Sequence, residues 1–332
     1  MHLSYEQQYL QLIDHVLAYG QFQENRTGVP TIGIIGAVLR ANIKRDGFPA
    51  MTTRKLAFKS SVGEMIGFLR ASDSAKQFRD LGCKFWDQNA NVNADWLNNP
   101  FRQGEDHLGP VYGVQWRQWP AYKVLSQSDT AQLERSERNG YQVLGLIDAT
   151  QPGGAKEVLL FKKVDQLKDC LDTIVRNPTS RRILFHGWNP ATLDEVALPP
   201  CHLLYQFHPN PTTREMSMTL FIRSNDLGLG QPANMCEAAA LLCLVCRLTG
   251  YQPLEVVVMI SDAHIYTNHL DMLKEQLTRK PFASPMLSIA EHVPAFSSTG
   301  QYDPAWLEAV APSDFSLIGY EHHPALTAPM AV

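Results

Sequence analysis

No apolar run in this sequence approaches the ~18 residues that a membrane-spanning helix needs. The opening Met1-His2-Leu3-Ser4-Tyr5-Glu6 also lacks the charged-then-apolar layout of a secretion signal. Both absences lead us to expect an intracellular, cytoplasmic protein. Basic excess is missing too. The 29 lysines and arginines face 33 acidic residues, a formal net charge of -4, which argues against a generic nucleic-acid binder but leaves room for a local basic pocket. Cysteine is sparse, six residues without an even pattern of spacings. Reduced thiols are therefore expected rather than a disulfide framework. His264 and His269 are five apart and would diverge on a helix, so no metal site is expected. Internal repeats are absent as well.

What is present is ordinary for a soluble globular chain: 45% hydrophobic and 19% charged residues over 332 positions. That length suits one large domain or two small ones, with ample core. Ser4 and Gln7 form a capping box ahead of Leu10, Ile13, Val16 and Leu17 at helical spacing. A β-prone run covers 31–43, and a helix is expected near 60–70 with Glu64 among apolar neighbours. Lys84-Phe85-Trp86-Asp87 precedes an Asn-rich loop, and 108–117 reads as a buried connector. From 121 to 163 the chain turns polar and irregular, as a surface insertion would. A helix at 164–174 follows, then strands at 182–188, 202–207 and 216–223. The pattern closes with a long apolar helix over 233–248, a Val-rich strand at 254–260, a helix at 265–278 and a strand near 315–320. Strands grouped together, with helices elsewhere, indicate an α+β fold.

The stretch Ala197-Leu-Pro-Pro-Cys201-His202-Leu-Leu-Tyr-Gln-Phe207 organises the functional reading. Proline is tolerated at a strand entrance but not within a ladder. Cys201 is thus expected at the first residue of a strand, its thiol aimed by a stiff lead-in. A buried structural cysteine is the plain alternative. His202 would point to the opposite face, which disfavours a thiol–imidazole pair. Activation would then come from a nearby cation, which favours thiolate. Arg26, Arg181, Arg182 and Arg223 beside Ser224 form a guanidinium and hydroxyl set suited to a phosphate dianion. His264 and Tyr266 share a face if their strand runs that far. Cys243 and Cys246 sit in a Leu-rich helix stripe and read as core, not as a redox pair. Glu64 is either a helix-end charge or a buried carboxylate with a raised pKa.

These residues together resemble the thymidylate synthase family. The resemblance runs through Asn25-Arg26-Thr27-Gly28, Asp46-Gly-Phe-Pro49, Leu108-Gly-Pro-Val-Tyr112-Gly-Val-Gln-Trp116, Ser180-Arg181-Arg182, Leu198-Pro-Pro-Cys201-His202, Arg223-Ser224-x-Asp226 and Asp262-Ala-His264-Ile-Tyr266. Gly319-Tyr320 and Ala328-Pro-Met-Ala-Val332 also fit. It implies one catalytic domain over 1–332 with a mixed sheet flanked by helices, and a homodimer whose sheets pack across the interface. It also implies one-carbon transfer from methylenetetrahydrofolate to carbon 5 of deoxyuridylate (dUMP), without a metal.

By the matching positions, Cys201 would attack ring carbon 6. Arg26, Arg223 and Ser224 would hold phosphate, together with Arg181 and Arg182 from the partner subunit. Asn234 would read the uracil edge, and His264 and Tyr266 the sugar hydroxyl. Glu64 would move protons, and Tyr112 would assist loss of the carbon 5 proton. Asp226 and Trp86 would bind folate, on a wall with Arg54, Asn89, Leu198, Gly230 and Ala233.

The sequence also departs from the family's usual pattern. Ala233 stands where a phenylalanine is common, Asn89 and Gly67 where tryptophans are, and Ile222 where a glutamine is. Small and polar residues at 233 and 89 should exclude water less well. On that ground the expected product is 5-hydroxymethyl-dUMP, with thymidylate (dTMP) and dihydrofolate as the alternative. A drifted synthase with a repacked pocket would fit the same residues. A cytidylate hydroxymethylase or a non-catalytic nucleotide-binding protein fits them less well.

Overall fold

The computed structural model describes residues 2–147 and 156–330, so Ala331, Val332 and the 148–155 part of the insertion lie outside the described residues. The first helix, Tyr5–Tyr19, starts as its sequence dictates. Gln7 N–H donates to Ser4 Oγ at 3.4 Å, and Ser4 N–H donates to Gln7 Oε1 at 2.9 Å. Tyr5, Tyr9, Ile13 and Val16 are its buried face.

In chain order the strands are β1 Gln21–Gln23, β2 Thr31–Asn42, β3 Trp119–Ser126, β4 Gln142–Ile147, β5 Glu157–Val164, β6 Leu184–His186 and β7 His202–Asn210. Then follow β8 Glu215–Asp226, β9 Gln252–Tyr266, β10 Met286–Ile289 and β11 Phe315–Ile318. Six of them form a mixed sheet, β1-β2-β9-β8-β7-β6, in which only β8 and β9 run parallel. Its register separates two faces. Leu39, Val258, Leu220 and Tyr205 lie side by side across β2, β9, β8 and β7, and all are buried. One residue along, Val38, Met259, Phe221 and Leu204 form a row on the other face, where the first three are exposed.

Helix Gly230–Thr249 covers the inner face, and helix Phe58–Leu69 lies against it. Ala238, Ala239 and Ala240 are fully buried and let neighbouring backbones come close. This 20-residue helix corrects one expectation: its best 18-residue window has a mean hydropathy of 1.2, long and apolar enough to cross a membrane, yet 78% of that window is buried in the core. Glu237 and Arg247 break up the apolar run in the sequence, which hid its length.

Other differences have local causes. The described residues of 121–163 are not irregular: β3, β5 and β4 form an antiparallel sheet, with helix Thr130–Arg138 between β3 and β4. Their polarity reflects a thin layer with one shallow buried face, including Val158 and Leu160. The helix expected from 265 begins at Leu270, because β9 pairs with β2 on one side as far as Tyr266 and with β8 on the other as far as His264. His264 and Tyr266 therefore do share a strand face. The Asn-rich loop contains a turn of helix, Asp87–Asn91, and the buried connector is helical over Tyr112–Arg117. β6 is only three residues long, and β11 pairs with β10, a partner the sequence did not reveal.

Candidate active site

A cleft of about 910 Å³ opens at the ends of β7, β8 and β9, closed below by helices Phe58–Leu69 and Gly230–Thr249. Cys201 lies on its wall, one residue before β7 rather than within it, and is partly exposed. Its neighbours hold it firmly. The Cys201 N–H donates to the Tyr112 hydroxyl oxygen at 2.8 Å, which leaves the Tyr112 proton free to serve the cleft. Arg223 Nε donates to the Pro200 carbonyl at 2.9 Å, and its Nη2 to the Pro199 carbonyl at 2.9 Å. The Arg223 N–H donates to the Cys201 carbonyl at 3.0 Å. One guanidinium thus fastens the diproline lead-in to β8 and brings a positive charge to the cleft wall that carries Cys201. It lies 5.7 Å from the Trp188 ring centre, an aromatic partner that the motifs did not reveal.

His202 is buried, and its Nδ1 is 2.9 Å from the Tyr205 hydroxyl. Burial pushes its pKa down to about 4, although the adjacent Asn234 amide acts in the opposite direction. A neutral imidazole is no partner for a thiolate, in keeping with the sequence argument.

At the strand ends, Ser224 Oγ donates to Asp262 Oδ2 at 2.9 Å, and His264 Nδ1 lies 3.4 Å from the same oxygen. The His264 contact holds the Asp262 carboxyl below its usual range. His264 and Tyr266 meet edge to face with ring centres 5.2 Å apart. Arg26 reaches this end from an exposed loop in which Asn25 accepts from both the N–H and the hydroxyl of Thr27. Asp262 stands within motif sequence, but its carboxylate carries no sequence signal apart from its neighbours.

Asp226 ends β8, ahead of helix Gly230–Thr249. Its two oxygens accept from Gly228 N–H at 2.7 Å and Leu229 N–H at 3.1 Å. A Cβ on Gly228 would come within 2.4 Å of His269 Nδ1, so glycine alone permits this close approach. Burial opposes ionisation of Asp226, but His269 outweighs it and the carboxyl lies below its usual value. His269 Nε2 reaches the Pro329 carbonyl at 2.8 Å, and Leu326 and Met330 of the same tail line the cleft. Arg54 is buried, donating to the Gly228 carbonyl and lying 3.4 Å from the Tyr9 hydroxyl.

The floor is aromatic. Trp86 Nε1–H donates to Glu64 Oε1 at 2.8 Å. Glu64 is half-buried and burial raises its pKa, which favours the second of the two sequence readings. Tyr112 stacks on Phe68 at 4.9 Å, and burial pushes its phenol well up. Gly67 leaves space that Phe78 fills: a Cβ there would lie 2.3 Å from the Phe78 ring, which in turn stacks on Trp86 at 5.5 Å. Asn89, Leu198, Gly230, Ala233 and Asn234 complete the lining, while Ile222 is core. Of the expected site residues, only Arg181 and Arg182 lie outside the cleft, exposed on the loop before β6.

The site thus places a cysteine and an arginine at the ends of a mixed sheet, above a carboxylate and tyrosine floor. The family model described as thymidylate synthase matches residues 7–332. A curated thymidylate synthase of Pseudomonas syringae pv. tomato is 60% identical over 325 residues, covering 98% of this chain and 99% of the relative. One of Bordetella parapertussis is 59% identical with the same coverage. The bifunctional dihydrofolate reductase-thymidylate synthase of Leishmania major is 37% identical over 98% of this chain and 55% of its own length. The chain belongs to the thymidylate synthase family and is a transferase of that family, whose members take methylenetetrahydrofolate as co-substrate. The bacterial matches leave out too little of this chain to omit the three-stranded unit at 119–164.

Proposed function

We propose that this protein is a thymidylate synthase: it forms dTMP and dihydrofolate from dUMP and methylenetetrahydrofolate. The observation that carries the reading is the gathering of Cys201, Arg223, Tyr112, Glu64 and Asn234 around one cleft. In the reaction, Cys201 sulfur adds to ring carbon 6, and carbon 5 becomes nucleophilic and bonds to the methylene carbon. Loss of the carbon 5 proton, assisted by Tyr112, releases the folate and leaves an exocyclic methylene. Hydride from the folate reduces it, and the sulfur then leaves. Glu64 moves protons along this path, and Asn234 reads the uracil carbonyl and N–H. Arg26, Arg223 and Ser224 hold the phosphate, and His264 and Tyr266 the sugar hydroxyl. Trp86, Asp226, Arg54, Leu198, Gly230, Ala233 and Asn89 face the folate.

The hydroxymethyl product expected from Ala233 and Asn89 is less well supported than the methyl one. The bacterial relatives named thymidylate synthase are 59–60% identical along nearly the whole chain. Phe78 occupies the volume at Gly67, and Trp86, Trp96 and Phe85 line the cleft. A wall repacked in this way keeps water out without an aromatic side chain at 233 or 89. Incubation with both substrates decides. Equal amounts of dihydrofolate and methylated nucleotide are expected, whereas tetrahydrofolate with a hydroxymethylated nucleotide would overturn the reading.

The same proposal includes a cytoplasmic homodimer of one catalytic domain each. The exposed row Val38, Met259 and Phe221, with Ile35 81% exposed nearby, is an apolar sheet face suited to a second copy. Arg181 and Arg182, exposed and outside their own cleft, would complete the partner's phosphate site. Mixing inactive Arg182→Ala and Cys201→Ala proteins is expected to restore part of the activity; none would return if each chain were self-sufficient.

A further inference from the structure

Behind Glu64, on the side away from the cleft, lies a second carboxyl group that the reaction above does not use. Glu237 is 3% exposed in helix Gly230–Thr249, and neither of its oxygens meets a fixed N–H or O–H donor among the described residues. It is within hydrogen-bonding reach of Glu64, on the neighbouring helix Phe58–Leu69. Glu64 lines the cleft and Glu237 does not.

Two carboxylates this close cannot both be ionised in a dry interior, so one holds a proton. The surroundings decide which. Glu64 has the Trp86 N–H at 2.8 Å and a partly open face, both of which favour its anion. Glu237 has neither. Among the described residues its only available partner is Glu64, and with Glu64 as the favoured anion that bond places the proton on Glu237. Burial drives the Glu237 pKa well above the ordinary glutamate value, with the Glu64 charge adding to the effect. Burial also raises Glu64, while hydrogen bonds from Glu237 and Trp86 act the other way.

The remaining ionisable groups around the pair are Cys83, Cys236, Tyr205 and Tyr112, and burial raises all four so that they are neutral near pH 7. His202, behind Cys201, is neutral too. Among the described residues no cation bears on either carboxyl.

We propose that Glu237 is a positioning residue: a permanently neutral acid whose O–H holds the Glu64 carboxylate in place and keeps it ionised at neutral pH. This inference rests on the reading of Glu64 as the proton-moving group. Glu237 touches neither substrate and acts through Glu64. An amide can give the same hydrogen bond, whereas a thioether of similar bulk cannot.

The test compares kcat/KM against pH for wild type, Glu237→Gln, Glu237→Met and Glu64→Gln. The acid limb of Glu237→Met is expected to move about one pH unit toward alkali, because the donor that favoured the anion is gone. Glu237→Gln is expected to keep the limb at its wild-type position. KM for dUMP is expected to stay the same in both Glu237 variants. An unmoved limb in Glu237→Met beside an inactive Glu64→Gln would overturn this inference alone. Wild-type turnover by Glu64→Gln would overturn the underlying reading, and this one with it. Should Glu237→Met fail to fold, infrared spectroscopy near pH 7 decides. A neutral-carboxyl band in wild type that disappears in Glu237→Gln supports the proposal, and its absence from wild type overturns it.

Discussion

The two ends of the cleft are built in opposite ways. The nucleotide end is made from strand termini and turns, with Cys201, Arg223, Ser224, Asp262, His264 and Tyr266 all within or next to β7, β8 and β9. It is polar and open, and Arg223, Ser224, Asp262 and the Cys201 backbone are held by hydrogen bonds to near neighbours. The floor is made from helices, and Glu64, Trp86, Tyr112, Phe68 and Phe78 meet only through the fold. It is dry and aromatic, and its ionisable groups are displaced from their usual pKa values by burial. The strand end supplies charge and aim; the floor supplies low dielectric and proton control.

Substitutions at the two ends should therefore fail differently. Cys201→Ala removes the atom that bonds to substrate, and turnover is expected to fall at least about a thousandfold with the fold intact, as single-turnover kinetics and circular dichroism would show. Arg223→Ala loses both the cation and the two ties to the diproline carbonyls. A loss of roughly a hundredfold in kcat/KM is expected, since hydrogen bonds from a charged group are worth about 1.5–3 kcal/mol each. A loss confined to KM would mean that Arg223 binds phosphate without aiming the thiol. Asn234→Asp should cost roughly tenfold or more with dUMP and improve use of the cytosine nucleotide, because its carboxylate cannot pair with the uracil edge in the same way.

On the floor the expected losses are in stability. Gly67→Trp drives a side chain into Phe78 and should destabilise by about 1–3 kcal/mol in chemical denaturation, with Phe78→Ala in the same chain restoring part of it. An unchanged midpoint would break the contrast, since it would mean that the wall had room to spare.

Glu237→Gln gives the smallest effect and a pH signature. The folded protein holds the Glu237 proton above the ordinary value of 4.5, whereas the unfolded chain releases it near there. Stability from this site is thus fully present below that value and is lost as pH rises through the folded one. The variant has no such proton. Its Tm relative to wild type is expected to climb between about pH 5 and about pH 8, and a constant difference would contradict a neutral Glu237.

The same contrast explains what could be read in the sequence. Strand-end residues come in contiguous clusters, so Pro199-Pro200-Cys201 and Arg223-Ser224 announced a stiff, charged thiol site before any coordinates. In the helix-built floor Glu64 lies 14 positions from Phe78 and 22 from Trp86 in the chain; what joins them is packing, which periodicity does not reveal. Glu237 lies in an apolar helix, and nothing local in the sequence points to Glu64 as its partner. Gly67 shows in the sequence only as a departure from the family's usual tryptophan, because the ring that fills its space comes from another helix. Residues 121–163 misled for a different reason: a thin sheet with one shallow buried face has the composition of a loop.

The most direct check follows the hydrogen on carbon 5 of dUMP. With tritium at that position, the wild-type enzyme is expected to release label to water in step with dihydrofolate formation, and Cys201→Ala is expected to release none above background. Release by Cys201→Ala at the wild-type rate would contradict a covalent path through that sulfur.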